Sequence, residues 1–83
     1  MPAAQIEDIV RLVSMQLGIR NVLPQDRLLE DLGAESADVA NLIARVEENY
    51  QITLTETEIA KLRTSEDLFK LVNTKLQDRP SRG

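Results

Sequence analysis

Val39, Leu42, Ile43, Val46 and Tyr50 recur three or four residues apart in an otherwise polar stretch. One face of that stretch is therefore apolar at the α-helical period. Ile6, Ile9, Val10, Val13 and Leu17 repeat the pattern, and Leu68, Phe69, Leu71, Val72 and Leu76 do so again. Such stripes are stable only when buried against one another, which points to packed helices. The chain has 83 residues, enough for one domain and one small core. Tyr50 and Phe69 are its only aromatics, so that core must be aliphatic.

Punctuation along the chain sets the element order. Gly18 directly follows Leu17 and is a natural helix stop, because glycine enters the left-handed region cheaply. Ile19 to Ala34 has no sustained period and contains Pro24. Its Ile19, Val22, Leu23, Leu28, Leu29 and Leu32 are costly to leave in water, so it reads as a long crossover packed on the bundle, with one helical turn near Leu28. The second helix is expected over Ser36–Tyr50, with Ser36 as its N-cap and Asp38 complementing the helix dipole. Gln51-Ile52-Thr53-Leu54-Thr55 alternates like a strand but has no second run to pair with, so it reads as extended linker. Thr55 and Glu58 form a capping box opening a short third helix that ends near Leu62. Thr64 and Asp67 form a weaker box opening the last helix. The expectation is an all-α fold, a small four-helix bundle of three main helices plus a short third, with a long first crossover loop. Residues 1–77 make a single domain and residues 78–83, including Pro80, a flexible polar tail.

The chain has no Cys and no His, the side chains that most often act as nucleophile or base near neutral pH. Lys61 is distant from Ser36 in sequence, with no supporting Ser-Lys motif, which argues against a hydrolase using Ser36 directly. The acids do not follow the spacing of a calcium loop, and no metal site is expected. From Leu28 to Ala60 there are eight acids against the single base Arg45, a net of −7, while the remainder carries +3. A negative field of this kind favours basic partners and disfavours nucleic acid or anionic membrane. No apolar run reaches membrane-spanning length and no signal peptide is visible, so a cytoplasmic location follows by default.

Glu30-Asp31-Leu32-Gly33-Ala34-Glu35-Ser36 resembles the Glu-Asp-Leu-Gly-Ala-Asp-Ser run of acyl carrier proteins. The resemblance continues through Leu42, Glu47-Glu48, Tyr50, Ile52 and Leu54 to Thr64, and covers roughly residues 5 to 76. It implies a carrier and not an enzyme, with 4′-phosphopantetheine esterified to Ser36 and acyl intermediates held as thioesters on its terminal thiol. It implies a fatty-acid, polyketide or related specialised pathway. The partners it implies are a phosphopantetheinyl transferase and basic-surfaced acyl-transferring or synthase enzymes, with no nucleic acid, no membrane insertion and a monomeric carrier. The surface offered to those partners comprises Glu35, Ala37, Asp38, Asn41, Ala44, Glu47 and Glu48. Ile43, Val46, Ile59, Leu62 and Leu68 are the expected walls of an acyl pocket between helices.

Two departures from the family pattern stand out. The family reads Asp-Ser-Leu where this chain reads Glu35-Ser36-Ala37, and it often has a large apolar residue where this chain has Ala44. Ala37, Ala40, Ala44 and Glu47 share one outer stripe of the helix, beside Arg45, which implies a changed partner set. Two alternatives stay open. One is an unmodified helical protein-interaction module in which Ser36 only caps a helix; the other is an aminoacyl or peptidyl carrier domain.

Overall fold

The computed structural model describes residues 4–78. It is all-α, with α1 (Ile6–Leu17), α2 (Ser36–Tyr50), α3 (Glu56–Ala60) and α4 (Ser65–Asp78). Among the described residues the only β-type pairing is an isolated bridge between Arg27 and Thr64. The stripes read from the sequence meet as expected, since α1 packs against both α2 and α4. Ile9 and Val13, Leu42, Ile43 and Val46, and Leu68 and Val72 form the buried centre, closed by Val22, Leu28 and Leu54 from the connections. Each such side chain contributes roughly 1.5–3 kcal/mol gross on full burial, most of it offset by ordering the chain.

The helix ends follow local chemistry. Gly18 turns left-handed at φ 67° and donates its N–H to the Ser14 carbonyl. α2 stops at Gln51, a non-glycine at φ 57°, whose N–H bonds back to the Glu47 carbonyl. The Glu58 amide donates to the Thr55 hydroxyl at 3.1 Å, and the Thr55 amide to Glu58 Oε1 at 2.9 Å. The Asp67 amide likewise donates to the Thr64 hydroxyl at 3.1 Å, and the Thr64 amide to Asp67 Oδ2 at 3.2 Å. Both boxes expected from the sequence are present. α3 ends at Ala60, two residues before the expected Leu62, because the Lys61 amide turns to the Glu58 and Ile59 carbonyls. None of the five residues of α3 is fully buried.

The crossover is tied to the α3–α4 connection. The Leu28 amide donates to the Arg63 carbonyl at 2.8 Å, and the Glu66 amide to the Pro24 carbonyl at 2.9 Å. A single turn forms near Leu28, marked by the Asp31 amide bonding the Arg27 carbonyl at 2.9 Å. Val22 and Leu28 are buried, whereas Leu23 and Leu29 stay 51% and 54% exposed, so the crossover packs through only part of its apolar set. α4 runs through Asp78, one residue into the expected tail, and residues 79–83 lie outside the described residues. Among the described residues no helix is long and apolar enough to cross a membrane.

Candidate functional site

The approach to α2 is built by its backbone. Gly33 adopts φ 72°, a conformation that L side chains rarely take, although a Cβ there would meet nothing within 4 Å. The requirement is therefore conformational and not steric. Ala34 follows, buried, with its amide donating to the Leu28 carbonyl at 2.9 Å. Glu35 is extended and is the N-cap; its amide donates to Asp38 Oδ2 at 3.0 Å, and its carbonyl accepts the Val39 amide at 3.0 Å.

This corrects the expectation that Ser36 caps the helix. The acids on either side take that role, and Ser36 is the first helical residue. Its side chain is exposed, and its hydroxyl has no hydrogen bond among the described residues. It sits where the first amides of α2 lack helical partners, at the positive end of the helix.

Beside Ser36 runs a groove of about 430 Å³. α2 contributes Ser36, Val39, Ala40, Ile43, Ala44 and Glu47; the α3 side contributes Ile59, Ala60, Leu62 and Arg63; the crossover contributes Leu28, Leu29 and Glu30. Of the five residues expected to wall an acyl pocket, Ile43, Ile59 and Leu62 line this groove. Val46 and Leu68 do not; both are 0% exposed in the core.

The expected partner surface divides. Glu47 lines the groove, and Asn41 and Glu48 line a second hollow with Gln16, Arg45 and Asn49. Ala44 borders both, while Ala37 is exposed and borders neither. Glu35 is exposed and Asp38 half-buried. Val39, Ala40 and Ala60 are groove residues that the sequence reading did not assign to a pocket. The Ala40–Ala44 spacing was the available signal, but it read as outer surface.

The acidic stretch is less bare than its sequence count. Arg27 Nη2 lies 3.2 Å from Asp31 Oδ1, and Arg27 Nε lies 3.8 Å from Glu30 Oε1. Lys75 Nζ lies 2.9 Å from Glu58 Oε2. Glu47 Oε2 accepts the Leu54 amide at 2.8 Å. Hydrogen bonds from the Arg27 side chain and amide hold the Asp31 carboxyl below its usual range. The Thr55 amide, and then Lys75, do the same for Glu58. Arg27 and Lys75 fall outside the acidic sequence window yet neutralise part of it in space. Among the described residues no group of three or more Asp and Glu side chains is arranged to hold a metal ion.

A family model described as a phosphopantetheine attachment site matches residues 7–72. The acyl carrier protein of Syntrophobacter fumaroxidans is 32% identical over 69 residues, 81% of this chain and 85% of its own length. That of Wolinella succinogenes is 33% identical over 73 residues, 86% of this chain and 96% of its own. Among solved structures, an acyl carrier protein from Thermotoga maritima superposes with a TM-score of 0.75 at 27% identity, covering 90% of this chain and 89% of that one. The oxytetracycline acyl carrier protein superposes with a TM-score of 0.78 at 22% identity, covering 100% of this chain and 94% of that one, a likeness of fold.

Proposed function

The chain belongs to the acyl carrier protein family, and on that premise we propose that Ser36 is the serine to which 4′-phosphopantetheine is esterified. Its function is to carry acyl groups on such an arm, and it is not itself an enzyme. Bound, the arm supplies the thiol that holds cargo as a thioester.

One observation carries the choice of Ser36. Its hydroxyl is exposed, has no hydrogen bond among the described residues and stands at the rim of an apolar groove. The site fits the group in charge as well, because a phosphodiester is favoured at the positive end of a helix. Val39, Ile43, Ile59 and Leu62 give the groove an aliphatic wall suited to an acyl chain, with Val46 and Leu68 in the core.

As a carrier of this family the chain has a phosphopantetheinyl transferase and acyl-handling enzymes as partners in general terms. For the contact itself we assign Glu35, Ala37, Asp38, Asn41, Ala44, Glu47 and Glu48, met by basic surfaces on those enzymes. The acids would steer encounter within a screening length of about 8 Å. A fatty-acid, polyketide or related pathway, a cytoplasmic location and a monomeric state complete the proposal.

Intact mass after incubation with a phosphopantetheinyl transferase and coenzyme A tests it. The natural chain is expected to gain one arm and Ser36→Ala none. An unchanged mass for the natural chain would leave a helical interaction module, and a labelled Ser36→Ala would place the arm elsewhere.

A further inference from the structure

Three charged residues stand around the groove beside Ser36, namely Glu30, Glu47 and Arg63. Both carboxylates are engaged, Glu47 by the Leu54 amide at 2.8 Å and Glu30 by Arg27 at 3.8 Å. Arg63 is different. Its Nη1 donates to the Ala60 carbonyl at 3.3 Å, and no carboxylate lies within ion-pair distance of its guanidinium among the described residues. A guanidinium carries a planar fork of N–H donors, and most of this one remain uncommitted.

Arg63 is exposed, and hydrogen bonds fix the backbone that carries it beside the groove. The Arg63 carbonyl accepts the Leu28 amide at 2.8 Å, and the Leu28 carbonyl accepts the Ala34 amide at 2.9 Å. Two hydrogen bonds in series thus join Arg63 to the residue two positions before Ser36. The Arg63 amide is itself held by Asp67 Oδ2 at 3.0 Å.

We propose that Arg63 is the anion-holding residue of the groove, and that it binds an anionic oxygen group brought there by the arm on Ser36. Guanidinium matches the oxygen pairs of phosphate and carboxylate, and a partly apolar wall leaves that attraction less screened than open solvent does. Two sources share this chemistry: the phosphodiester of the arm itself, and a terminal carboxylate on an acyl cargo. The inference rests on Ser36 as the attachment residue.

The test uses arm-bearing protein, verified by intact mass, in four forms: natural, Arg63→Gln, Arg63→Lys and Lys61→Gln. Lys61 is an exposed neighbouring cation that does not line the groove. Phosphorus NMR of the arm is expected to show a shifted resonance in Arg63→Gln, partial restoration in Arg63→Lys and no change in Lys61→Gln. In parallel, the Arg63 Nε–H resonance is followed on loading acetyl and malonyl thioesters. A phosphorus shift assigns the anion to the phosphodiester. An Nε–H shift with malonyl but not acetyl assigns it to a cargo carboxylate. Invariance in both experiments overturns the role of Arg63. Failure to gain the arm's mass overturns the attachment reading instead, and this inference with it.

Discussion

Lys75 Nζ sits 2.9 Å from Glu58 Oε2, joining the last helix to the shortest one through two side chains that are each about 70% shielded from solvent. Glu58 also accepts the Thr55 amide and so closes the cap of α3. One carboxylate therefore serves both the start of α3 and its attachment to α4.

That dual role predicts a dependence on pH. The folded Glu58 carboxyl titrates below its ordinary value of 4.5. Its contribution is then present above that ordinary value and is lost as pH falls through the lower, folded one. Asp31, lowered by Arg27, acts in the same direction. Melting midpoints of the natural chain should drop below about pH 4.5 more steeply than those of Glu58→Gln. Parallel curves for the two would show that Glu58 gains nothing from its partners.

Ser36→Ala should abolish arm attachment with little change in stability, within about 0.5 kcal/mol. The reason is the cap: Glu35 and Asp38 hold the helix start, and the serine hydroxyl contributes no bond to it. A loss near 1 kcal/mol in denaturant melts, the usual cost of removing a serine cap, would mean that Ser36 caps the helix in solution.

Ser65→Ala should leave stability unchanged or raise it. Ser65 is 0% exposed and its hydroxyl finds no hydrogen-bond partner among the described residues. Removing a buried unpaired hydroxyl relieves a desolvation cost of about 1–3 kcal/mol, less the small void left behind. The expected gain is at most about 1 kcal/mol, or roughly 4–8 °C in a domain of this size. A clear fall in the midpoint would show that the hydroxyl is satisfied in solution.

Ala44→Leu and Ala37→Leu should separate cargo binding from docking. Ala44 lines the groove and Ala37 does not. If the groove holds the cargo, a medium-chain acyl group should raise the melting midpoint over the unloaded arm, and the larger side chain at Ala44 should fill groove volume and reduce that rise. Ala37→Leu should leave that rise intact and alter transferase or partner affinity instead. Equal effects of the two on the acyl-dependent rise would show that the groove does not hold the cargo.

Helix periodicity made α1 and α2 legible to their ends, and the Thr55–Glu58 and Thr64–Asp67 pairs marked the starts of α3 and α4. The cap of α2 was not legible. Glu35 and Ser36 are adjacent polar residues, and the choice between them depends on a backbone rotation that spacing does not report. The groove was half legible. Its aliphatic residues followed from the apolar stripe, but Ala40 and Ala44 are exposed, as the outer stripe implied, and border a groove only because α3 supplies the opposite wall. The Thr55–Glu58 box announced the five-residue helix, but it carries too little period to tell which neighbour it faces. Net charge along the stretch overstated its field for a related reason, since Arg27 and Lys75 reach it through the fold and not along the chain.

α3 buries none of its residues fully, yet it forms one wall of the groove. Its anchorage is one cap, one ion pair to α4, a closing turn and the half-buried Ile59 packed against the core. The wall is therefore only lightly tied to the Ile9–Val13–Val46–Leu68–Val72 centre, through Ile59 and the Glu58–Lys75 pair. A lineage of such proteins can retune the size of what it shelters by drift at Ile59 and Ala60, the two α3 residues that line the groove. The same arrangement makes Ile59 and Ala60 the first places to vary, with Glu58 kept, when a carrier for unfamiliar cargo is wanted.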